Sequence, residues 1–380
     1  MEKLKWIKIE NFRAFKKAEI SDFGDINVFI GKNNTGKSTL LESIYLNLAQ
    51  NNKDLLGIYP FRAIFSRRGI SGIGRVRYSE IDDSEDVITS IVYYLFHSIN
   101  IDKEELNKLM SSINSNLNEF ELNAYFGEFP EDILKIFFRE YVGYYSGDRD
   151  DIQPQIIISD GNNDILFSVV EKLPRNEIIY RIHSKSFLRF HIKRQNVLMV
   201  DEYIMRLRTL HSSPMFSFIK RIERYSKIDK EHLSKFLSDQ LNTEIVDIIP
   251  KIFDIFLLLK DNKQMPVSLL GDGTKMALSY YYALSLEDTY VLLEEPENHL
   301  HPKLMDKIID LIINSSQKNQ IFITTHNLEF LQKILEKSYE KNINLKVFAF
   351  ENLVDGIPNI EVYECDEANA ALNKIGVDLR

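Results

Sequence analysis

The chain has 380 residues, of which 44% are hydrophobic and 11% aromatic, so it can bury a large core and divide into two or three lobes. A net charge of −9 and a sequence pI near 5.5 argue against a surface that binds nucleic acid throughout. Cys365 is the one cysteine, which excludes an intrachain disulfide and a thiolate metal cluster. Without an apolar start or an uncharged apolar run of about 18 residues, we expect a cytoplasmic chain with no membrane partner.

The first residues alternate between apolar and charged side chains. This alternation predicts a strand over residues 4–10 and a second piece over 18–20, on either side of the segment 11–15. Residues 26–30 form a short apolar run that is typical of a buried strand, and residues 38–49 carry leucine and isoleucine at helical spacing.

Between that strand and that helix lies the loop Gly-Lys-Asn-Asn-Thr-Gly-Lys-Ser-Thr, residues 31–39. Its spacing matches the phosphate-cradling loop of nucleotide hydrolases, whose backbone N–H groups point at phosphate oxygens. Lys37 would hold the β- and γ-phosphates, and the Ser38 hydroxyl would ligate Mg²⁺. The sequence therefore predicts a site for ATP and Mg²⁺. The residues assigned to it in this loop are Gly31, Asn33, Asn34, Thr35, Gly36, Lys37, Ser38 and Thr39.

The middle of the chain changes pattern twice. A mostly helical pattern, clearest at 104–117 and 130–144, predicts a helical insertion. Short β-rich runs then predict a sheet, and helical periodicity returns from 203 to 256. The predicted strands of that sheet are 156–158, 165–170, 178–182 and 197–200. We divide the chain into an N-terminal part of the ATPase lobe at 1–54, a helical insertion at 55–150, a β-rich part at 151–200, a helical segment at 201–260 and a C-terminal part of the ATPase lobe at 261–380.

Two groups of charged residues in this middle part have open interpretations. The basic residues could contact phosphates of DNA or RNA, or they could form solvated faces balanced by nearby acids. The acidic clusters at 82–86 and 148–151 are typical of solvated turns. The basic residues are Arg62, Arg67, Arg68, Arg75 and Arg77 in one group, and Arg189, Lys193, Arg194, Arg206, Arg208, Lys220, Arg221 and Arg224 in the other.

The last 120 residues alternate strand and helix in α/β order. The predicted segments are 267–270, 275–286, 290–293, 302–314, 321–324, 328–338 and 345–350. Ligands gather at the carboxyl ends of strands in open α/β sheets, so we expect Glu294, Glu295 and His326 to join the phosphate loop. Glu294 would contact Mg²⁺ through water, Glu295 would be the general base for the attacking water, and His326 would sense the γ-phosphate.

The order of these motifs resembles the ATPase head of the ABC superfamily, in its RecF/SMC-like branch. The resemblance implies an α/β P-loop NTPase fold with an ABC-type head, a mixed sheet and a helical insertion. Residues 11–15 resemble the opening motif of that branch, in which Arg13 would lie near the phosphates. Gly271, Asp272 and Gly273 stand where the family has its signature loop, which would cap the γ-phosphate bound by a second copy. Residues 298–302 resemble the loop that crosses the dimer interface in head ATPases related to OLD-type nucleases.

The chain departs from that pattern in three places. Glu294 replaces the usual aspartate, and Gly271 replaces the signature serine, which removes a hydroxyl from the γ-phosphate. The glutamine that usually joins the metal site has no clear counterpart, and Gln153 and Gln155 are the candidates. We therefore expect slow hydrolysis and a weak dimer.

Three functions follow from these features. The first is a homodimeric ATPase switch that serves nucleic-acid maintenance or anti-phage defence, with a separate nuclease or other effector as partner. The second is the motor subunit of a transporter, although about 235 residues separate Lys37 from Gly271 and the chain has no membrane segment of its own. The third is a nuclease with its own metal site, although only 54 residues follow His326.

Overall fold

The computed structural model includes residues of both segments assigned to the ATPase lobe, 1–54 and 261–380. It describes residues 1, 3–49, 54–56, 64, 76–77, 135–141, 153–159, 164–172, 177–184, 196–201, 214–225, 228–251 and 254–372.

A six-stranded sheet organises the described residues, with the strand order β16-β15-β3-β14-β13-β9. The strands β15, β3, β14, β13 and β9 run parallel, and β16 pairs with β15 in the antiparallel sense. The sheet is therefore mixed, as predicted. Its strands are β3 (Ile26–Gly31), β9 (Val197–Val200), β13 (Tyr290–Glu294), β14 (Gln320–Thr324), β15 (Leu345–Val354) and β16 (Ile357–Glu364).

The central strands are covered on both faces, which explains why they read as continuous apolar runs. All six residues of β3 and all five of β14 are buried. On one face, the rings of Phe23, Phe29, Phe322 and Phe348 form a cluster with centroids 5.3 to 6.5 Å apart. Offset and edge-to-face arrangements of this kind fix the register of neighbouring strands beyond what burial alone supplies.

Seven α-helices are described. Helix α1 packs against β3, β9, β13 and β14, directly behind the phosphate loop. None of the described helices is both long enough and apolar enough to span a membrane. The helices are α1 (Lys37–Ala49), α2 (Pro214–Ile222), α3 (Lys230–Leu241), α4 (Asp272–Leu284), α5 (Pro302–Ser315), α6 (Leu328–Glu340) and α7 (Cys365–Ala370).

Three smaller sheets complete the described strands. The hairpin β1-β2 lies at the N-terminus, β10-β11-β12 precedes α4, and β4-β8-β7-β6-β5 comes from the middle of the chain. The strands are β1 (Trp6–Phe12), β2 (Phe15–Ser21), β4 (Val76–Arg77), β5 (Lys135–Tyr141), β6 (Gln153–Ser159), β7 (Asp164–Lys172), β8 (Glu177–Ser184), β10 (Ile245–Pro250), β11 (Ile255–Leu259) and β12 (Gln264–Pro266).

The prediction of a helix over 130–144 is wrong, because Lys135–Tyr141 is a strand that pairs with Gln153–Ser159. The helical reading of 203–256 fails beyond residue 241, where β10 and β11 form an antiparallel pair. The four strands predicted between residues 156 and 200 are confirmed. The predicted helix at 104–117 lies outside the described residues, as do both acidic clusters.

Two further details differ from the expected C-terminal part. Residues 267–270 were expected as a strand, but Val267–Leu269 forms a single 3₁₀ turn before α4. Strand β16 and helix α7 follow β15 without having been predicted.

The two ends of the segment between α1 and β9 lie next to each other. The backbone N–H of Leu55 donates a hydrogen bond of 3.2 Å to the carbonyl oxygen of Val197, the first residue of β9. Leu55 and Val197, which lie near the two ends of this segment, are therefore neighbours in the fold.

Candidate functional site

The phosphate loop joins the end of β3 to the start of α1, and its two glycines sit where no other residue fits. Gly31 has a φ of 141° and Gly36 a φ of 108°. A Cβ on Gly31 would lie 2.3 Å from the carbonyl oxygen of Phe350, and one on Gly36 would lie 2.3 Å from the ring of Phe15. Both the backbone conformation and the close neighbours therefore demand glycine.

Lys37 begins α1 and folds back over the loop. Its ammonium donates to the carbonyl oxygens of Gly31 and Lys32, each at 2.7 Å, and the residue is only 5% exposed. Burial lowers the pKa of Lys37 to about 8, while the nearby charge of Glu295 acts in the opposite direction. The cation is thus held at the centre of the loop, where phosphate oxygens would relieve its burial.

Ser38 and Glu294 meet across the gap between α1 and the end of β13. The Ser38 hydroxyl donates to Oε1 of Glu294 at 2.7 Å. Glu294 is the last residue of β13, in register with Thr324 of β14. The Glu294 carboxylate thus reaches the Ser38 hydroxyl directly from the end of the strand. Hydroxyl and carboxylate oxygens are the ligands that Mg²⁺ prefers, so this pair fits that ion.

Glu295 follows immediately and lies between two polar side chains. Its carboxylate is 3.3 Å from Nε2 of His326 and accepts a hydrogen bond of 2.8 Å from Nδ2 of Asn298. The residue has a φ of 45°, a conformation that costs an L residue free energy and is common at functional sites. Its own N–H donates to the carbonyl oxygen of Thr324 at 2.9 Å, which anchors the strained turn to the next strand.

His326 lies in the turn after β14, beside Glu295. Burial, followed by the positive charge of Lys37, lowers the pKa of the imidazole, while Glu295 and the Gly31 backbone oppose that shift. A neutral imidazole can both donate and accept a hydrogen bond, which suits a group facing a phosphate oxygen or a water.

The other residues assigned to the loop have structural contacts of their own. The Thr35 hydroxyl donates to the carbonyl oxygen of Lys32 at 2.9 Å, and Asn34 has a φ of 64°. Asn33 is exposed, whereas Thr39 is buried. Arg13, in the turn between β1 and β2, donates from Nη1 to Oε2 of the fully buried Glu42 at 2.6 Å. Arg13 is thus tied to α1, one turn beyond Ser38.

The signature-like loop, formed by Gly271, Asp272 and Gly273, includes the start of helix α4. Helix α4 begins at Asp272 rather than at residue 275. Gly271 is its N-cap residue and has no side chain to cap the first N–H groups. A Cβ on Gly273 would lie 2.4 Å from the carbonyl oxygen of His299, so this loop packs tightly on the segment after β13. Gly271 itself has no atom within 4 Å of an added Cβ.

Sequence reasoning missed three residues of this site, namely Asn298, Glu42 and Glu297. Asn298 lies in the predicted loop 298–302, and Glu297 lies between that loop and the predicted strand 290–293. Glu297 is 9% exposed, and its Oε1 accepts hydrogen bonds from the Thr325 hydroxyl and the His326 N–H. The only sequence signal for Glu297 is that it follows Glu294 and Glu295 closely at the end of β13.

Several assigned residues lie elsewhere or are not described. Gln153 and Gln155 belong to β6 of the five-stranded sheet and not to the main sheet. Lys220 pairs with Glu223 at 3.1 Å on the last turn of α2. Most of the remaining basic residues lie outside the described residues. Among the described residues, no group of three or more His, Cys, Asp and Glu side chains could hold a metal ion.

Comparison with known families gives a match over most of the chain. The family described as "AAA domain, putative AbiEii toxin, Type IV TA system" matches residues 26–332. This span runs from the first residue of β3 to within α6, and it includes the phosphate loop, the acidic strand and His326.

Curated relatives agree with that match. An "ATP/GTP phosphatase" of Helicobacter pylori is 22% identical over 355 residues, which cover 88% of this chain and 88% of that protein. The "DNA replication and repair protein RecF" of Staphylococcus haemolyticus is 42% identical over 52 residues, covering 13% of this chain and 14% of that protein.

Among solved structures, an SMC head bound to the C-winged helix domain of ScpA is similar at 14% identity and a TM-score of 0.42. The alignment covers 97% of this chain and 99% of that one.

Proposed function

We propose that the chain works as an ATP-driven switch whose two copies close around bound nucleotide. The premise is that the chain belongs to this AAA-domain family and is an ATPase of the ABC superfamily in its RecF/SMC-like branch. The observation that carries the proposal is the meeting of three strand ends. Lys37 and Ser38 follow β3, Glu294 and Glu295 end β13, and His326 follows β14.

We assign hydrolysis to the residues at those strand ends. Lys37 would exchange its two carbonyl contacts for oxygens of the β- and γ-phosphates, which satisfies a buried cation with anions. Glu295, oriented by Asn298 and His326, would accept the proton of the attacking water. His326 would donate to the γ-phosphate and thereby distinguish ATP from ADP.

Ser38 and Glu294 would hold Mg²⁺, Ser38 directly and Glu294 through water. When bound, the ion would neutralise charge that develops on the phosphate oxygens. The hydrogen bond of 2.7 Å between these two side chains keeps both oxygens at one end of the phosphate loop. The contribution of the chain is therefore a pair of oxygens held together before nucleotide binds.

ATP-dependent homodimerisation is the second part of the proposal. The N–H groups at the start of α4 have no side-chain cap, and helix N-termini attract anions. We infer that Gly271, Asp272 and Gly273 cap the γ-phosphate held by Lys37 of a second copy, which gives two equivalent sites. ADP lacks that phosphate, so hydrolysis would loosen the pair.

Light scattering of Glu295→Gln tests this pairing. The variant should bind Mg-ATP without turning it over, so a dimer should accumulate with ATP and dissociate with ADP. Glu295→Gln combined with Lys37→Ala is the matched control, because it should lose phosphate binding and stay monomeric. An ATP-bound Glu295→Gln protein that stays monomeric at micromolar concentration would overturn the dimer.

We further propose that the switch serves nucleic-acid maintenance or anti-phage defence through a separate effector, such as a nuclease. Support comes from the family description, which refers to a toxin of a toxin–antitoxin system. A fluorescent DNA or RNA titration at low salt, with ATP and without it, tests the nucleic-acid part, because phosphate contacts weaken steeply as salt rises. Absence of binding in all four conditions would leave a protein effector as the partner.

A further inference from the structure

Glu297 is a buried carboxylate that the proposed hydrolysis does not use. It lies two residues after Glu295, in the turn that leaves β13, and it is 9% exposed. Its Oε2 atom is buried without a hydrogen-bond partner among the described residues, a state it shares with the Ser338 hydroxyl alone. A buried polar group of this kind costs free energy, so its retention calls for a compensating role.

The other oxygen of Glu297 makes contacts to the segment that carries His326. Oε1 accepts from the Thr325 hydroxyl at 2.5 Å and from the N–H of His326 at 3.3 Å. The Thr325 hydroxyl in turn accepts from the N–H of Asn327 at 3.0 Å. One carboxyl oxygen thus fixes three consecutive residues, and these residues connect β14 to α6.

The geometry of this turn decides where the imidazole lies. The ring of His326 reaches Oε1 of Glu295 at 3.3 Å, and Asn327 caps α6 by accepting from the N–H of Phe330 at 3.0 Å. Without Glu297, the backbone of residue 326 would have neither its side-chain acceptor nor the fixed Thr325 hydroxyl. The ring would then be free to move away from Glu295, although helix α6 would keep its own cap.

Groups around Glu297 determine which substitution can replace it. Burial raises the pKa of this carboxyl, and the charge of Glu295 adds to the increase, whereas the Thr325 hydroxyl and nearby backbone N–H groups oppose it. A neutral amide oxygen accepts the same two hydrogen bonds, so glutamine is a close substitute in shape and in bonding.

We propose that Glu297 is the positioning residue for His326, holding the imidazole against Glu295 and the γ-phosphate by fixing the turn Thr325–His326–Asn327. The inference depends on the proposed role of His326 in ATP hydrolysis. Glu297 does not touch the nucleotide, and its whole effect on turnover passes through His326.

A double-mutant cycle between Glu297→Leu and His326→Ala tests this dependence. Glu297→Leu should lower kcat for ATP by about tenfold, since a small misplacement of a catalytic group has an effect of this order, while ADP affinity stays at the parent value. In the His326→Ala background the same substitution should have an effect below about twofold, because its target is already gone. Glu297→Gln should stay within about twofold of the parent.

Thr325→Val is a second test of the positioning role, because it removes the hydroxyl that donates to Glu297 and keeps the shape of the side chain. This variant should lower kcat without affecting ADP affinity. Ser338→Ala is the matched control, since it changes the other unpartnered buried oxygen and should leave kcat unchanged. Equal losses from Glu297→Leu in both backgrounds, or a glutamine variant as impaired as leucine, would overturn the positioning role. A parent protein that fails to hydrolyse ATP would instead reject the proposed function.

Discussion

The phosphate loop and the signature-like loop both present glycines and a helix N-terminus, yet they differ in how much of their surroundings the chain itself supplies. Added methyl groups on Gly31 and Gly36 would lie 2.3 Å from Phe350 and Phe15. At Gly271 an added methyl group would meet no atom within 4 Å, and the neighbouring Leu269 is 79% exposed. The phosphate loop is thus packed against its own chain, whereas the signature-like loop faces open space at Gly271 and packs on His299 only at Gly273.

This difference has a simple physical meaning. The phosphate loop is closely packed, and the ammonium of Lys37 already donates to two of its carbonyl oxygens. The signature-like loop has donors without a cap and an apolar side chain without cover, so its contacts would come from a second molecule. Substitutions in the phosphate loop should therefore change folding and chemistry, whereas substitutions at Gly271 should act mainly on association.

Lys37→Ala should have the largest effect. Removal of the ammonium leaves the β- and γ-phosphates without their cation, so ATP hydrolysis should fall by about a thousandfold or more. A steady-state phosphate-release assay measures the loss. Lys263→Ala, at an exposed lysine paired with Asp261, is the control and should retain full activity. Equal rates for Lys37→Ala and the parent would refute the assignment of the loop.

Substitutions at the two adjacent glutamates should have the next largest effects, and the two effects should differ in kind. Glu295→Gln should bind ATP normally and lose turnover by about a hundredfold or more, because it removes the proposed base. Glu294→Gln should first raise the Mg²⁺ concentration needed for half-maximal activity, because it alters the oxygen partner of Ser38. Rates measured across a Mg²⁺ titration distinguish the two, and identical curves would contradict both assignments.

A pair of glycine substitutions tests the comparison of the loops directly. Gly36→Ala should lower the free energy of unfolding by about 2–4 kcal/mol, from the positive φ and the contact with Phe15. Gly271→Ala, where φ is −62°, should lower it by less than about 1 kcal/mol, the difference between glycine and alanine as a helix N-cap. Urea denaturation of the nucleotide-free proteins measures both values, and similar losses would show that the loops are equally packed.

The lowered pKa of Lys37 gives the phosphate loop a pH dependence. In the nucleotide-free fold this lysine loses its proton near pH 8, and in the unfolded chain it does so at its ordinary value of 10.5. The folded chain therefore binds fewer protons between these values, so the contribution of Lys37 to stability is unfavourable below pH 8 and rises with pH across the window.

ATP binding should be coupled to that ionisation. Phosphate binds the ammonium form, so ATP affinity should fall by roughly tenfold per unit as pH rises above about 8. Calorimetric titrations across this range measure the slope and the proton taken up on binding. Lys263→Ala, at the exposed lysine used above, is the control and should show the same slope as the parent. A parent affinity that stays constant between about pH 8 and 9.5 would show that the loop lysine is not the titrating group.

Gly271→Ser should produce the smallest effect. A serine there restores a hydroxyl beside the proposed γ-phosphate position, and one added hydrogen bond should strengthen the ATP-bound dimer by about 1 kcal/mol, or roughly fivefold. The substitution should be tested in Glu295→Gln protein by sedimentation equilibrium with Mg-ATP. A dimer no stronger than that of the Glu295→Gln parent would place Gly271 away from the second nucleotide.

Sequence patterns sufficed for segments whose chemistry is local. The phosphate loop, the acidic end of β13 and the run before His326 are each defined by residues next to one another in the chain, and the structure places all three at one edge of the sheet. The α/β order followed from the alternation of strand and helix patterns, whereas the mixed sheet was implied by the resemblance to the ABC-type head.

Patterns failed where distant pairing decided the outcome. The segment Lys135–Tyr141 has apolar residues compatible with a helix, but it pairs over its whole length with β6. Tertiary partners override local propensity in such cases. The contact of Glu297 with Thr325 joins residues 28 positions apart, and Arg13 meets Glu42 across 29 positions. No spacing rule connects these pairs, so only the folded chain shows them.

The hydrogen bond between Leu55 and Val197 has a consequence for how this protein can change over evolutionary time. Because the intervening segment starts and ends at one point of the head, lengthening or replacing it leaves the separation of its ends the same. Doubling the length of such a closed segment costs only about 0.6 kcal/mol in chain entropy. Selection could therefore exchange this segment for one that recognises a different partner, while the proposed ATP site at the carboxyl ends of the strands stays as it is.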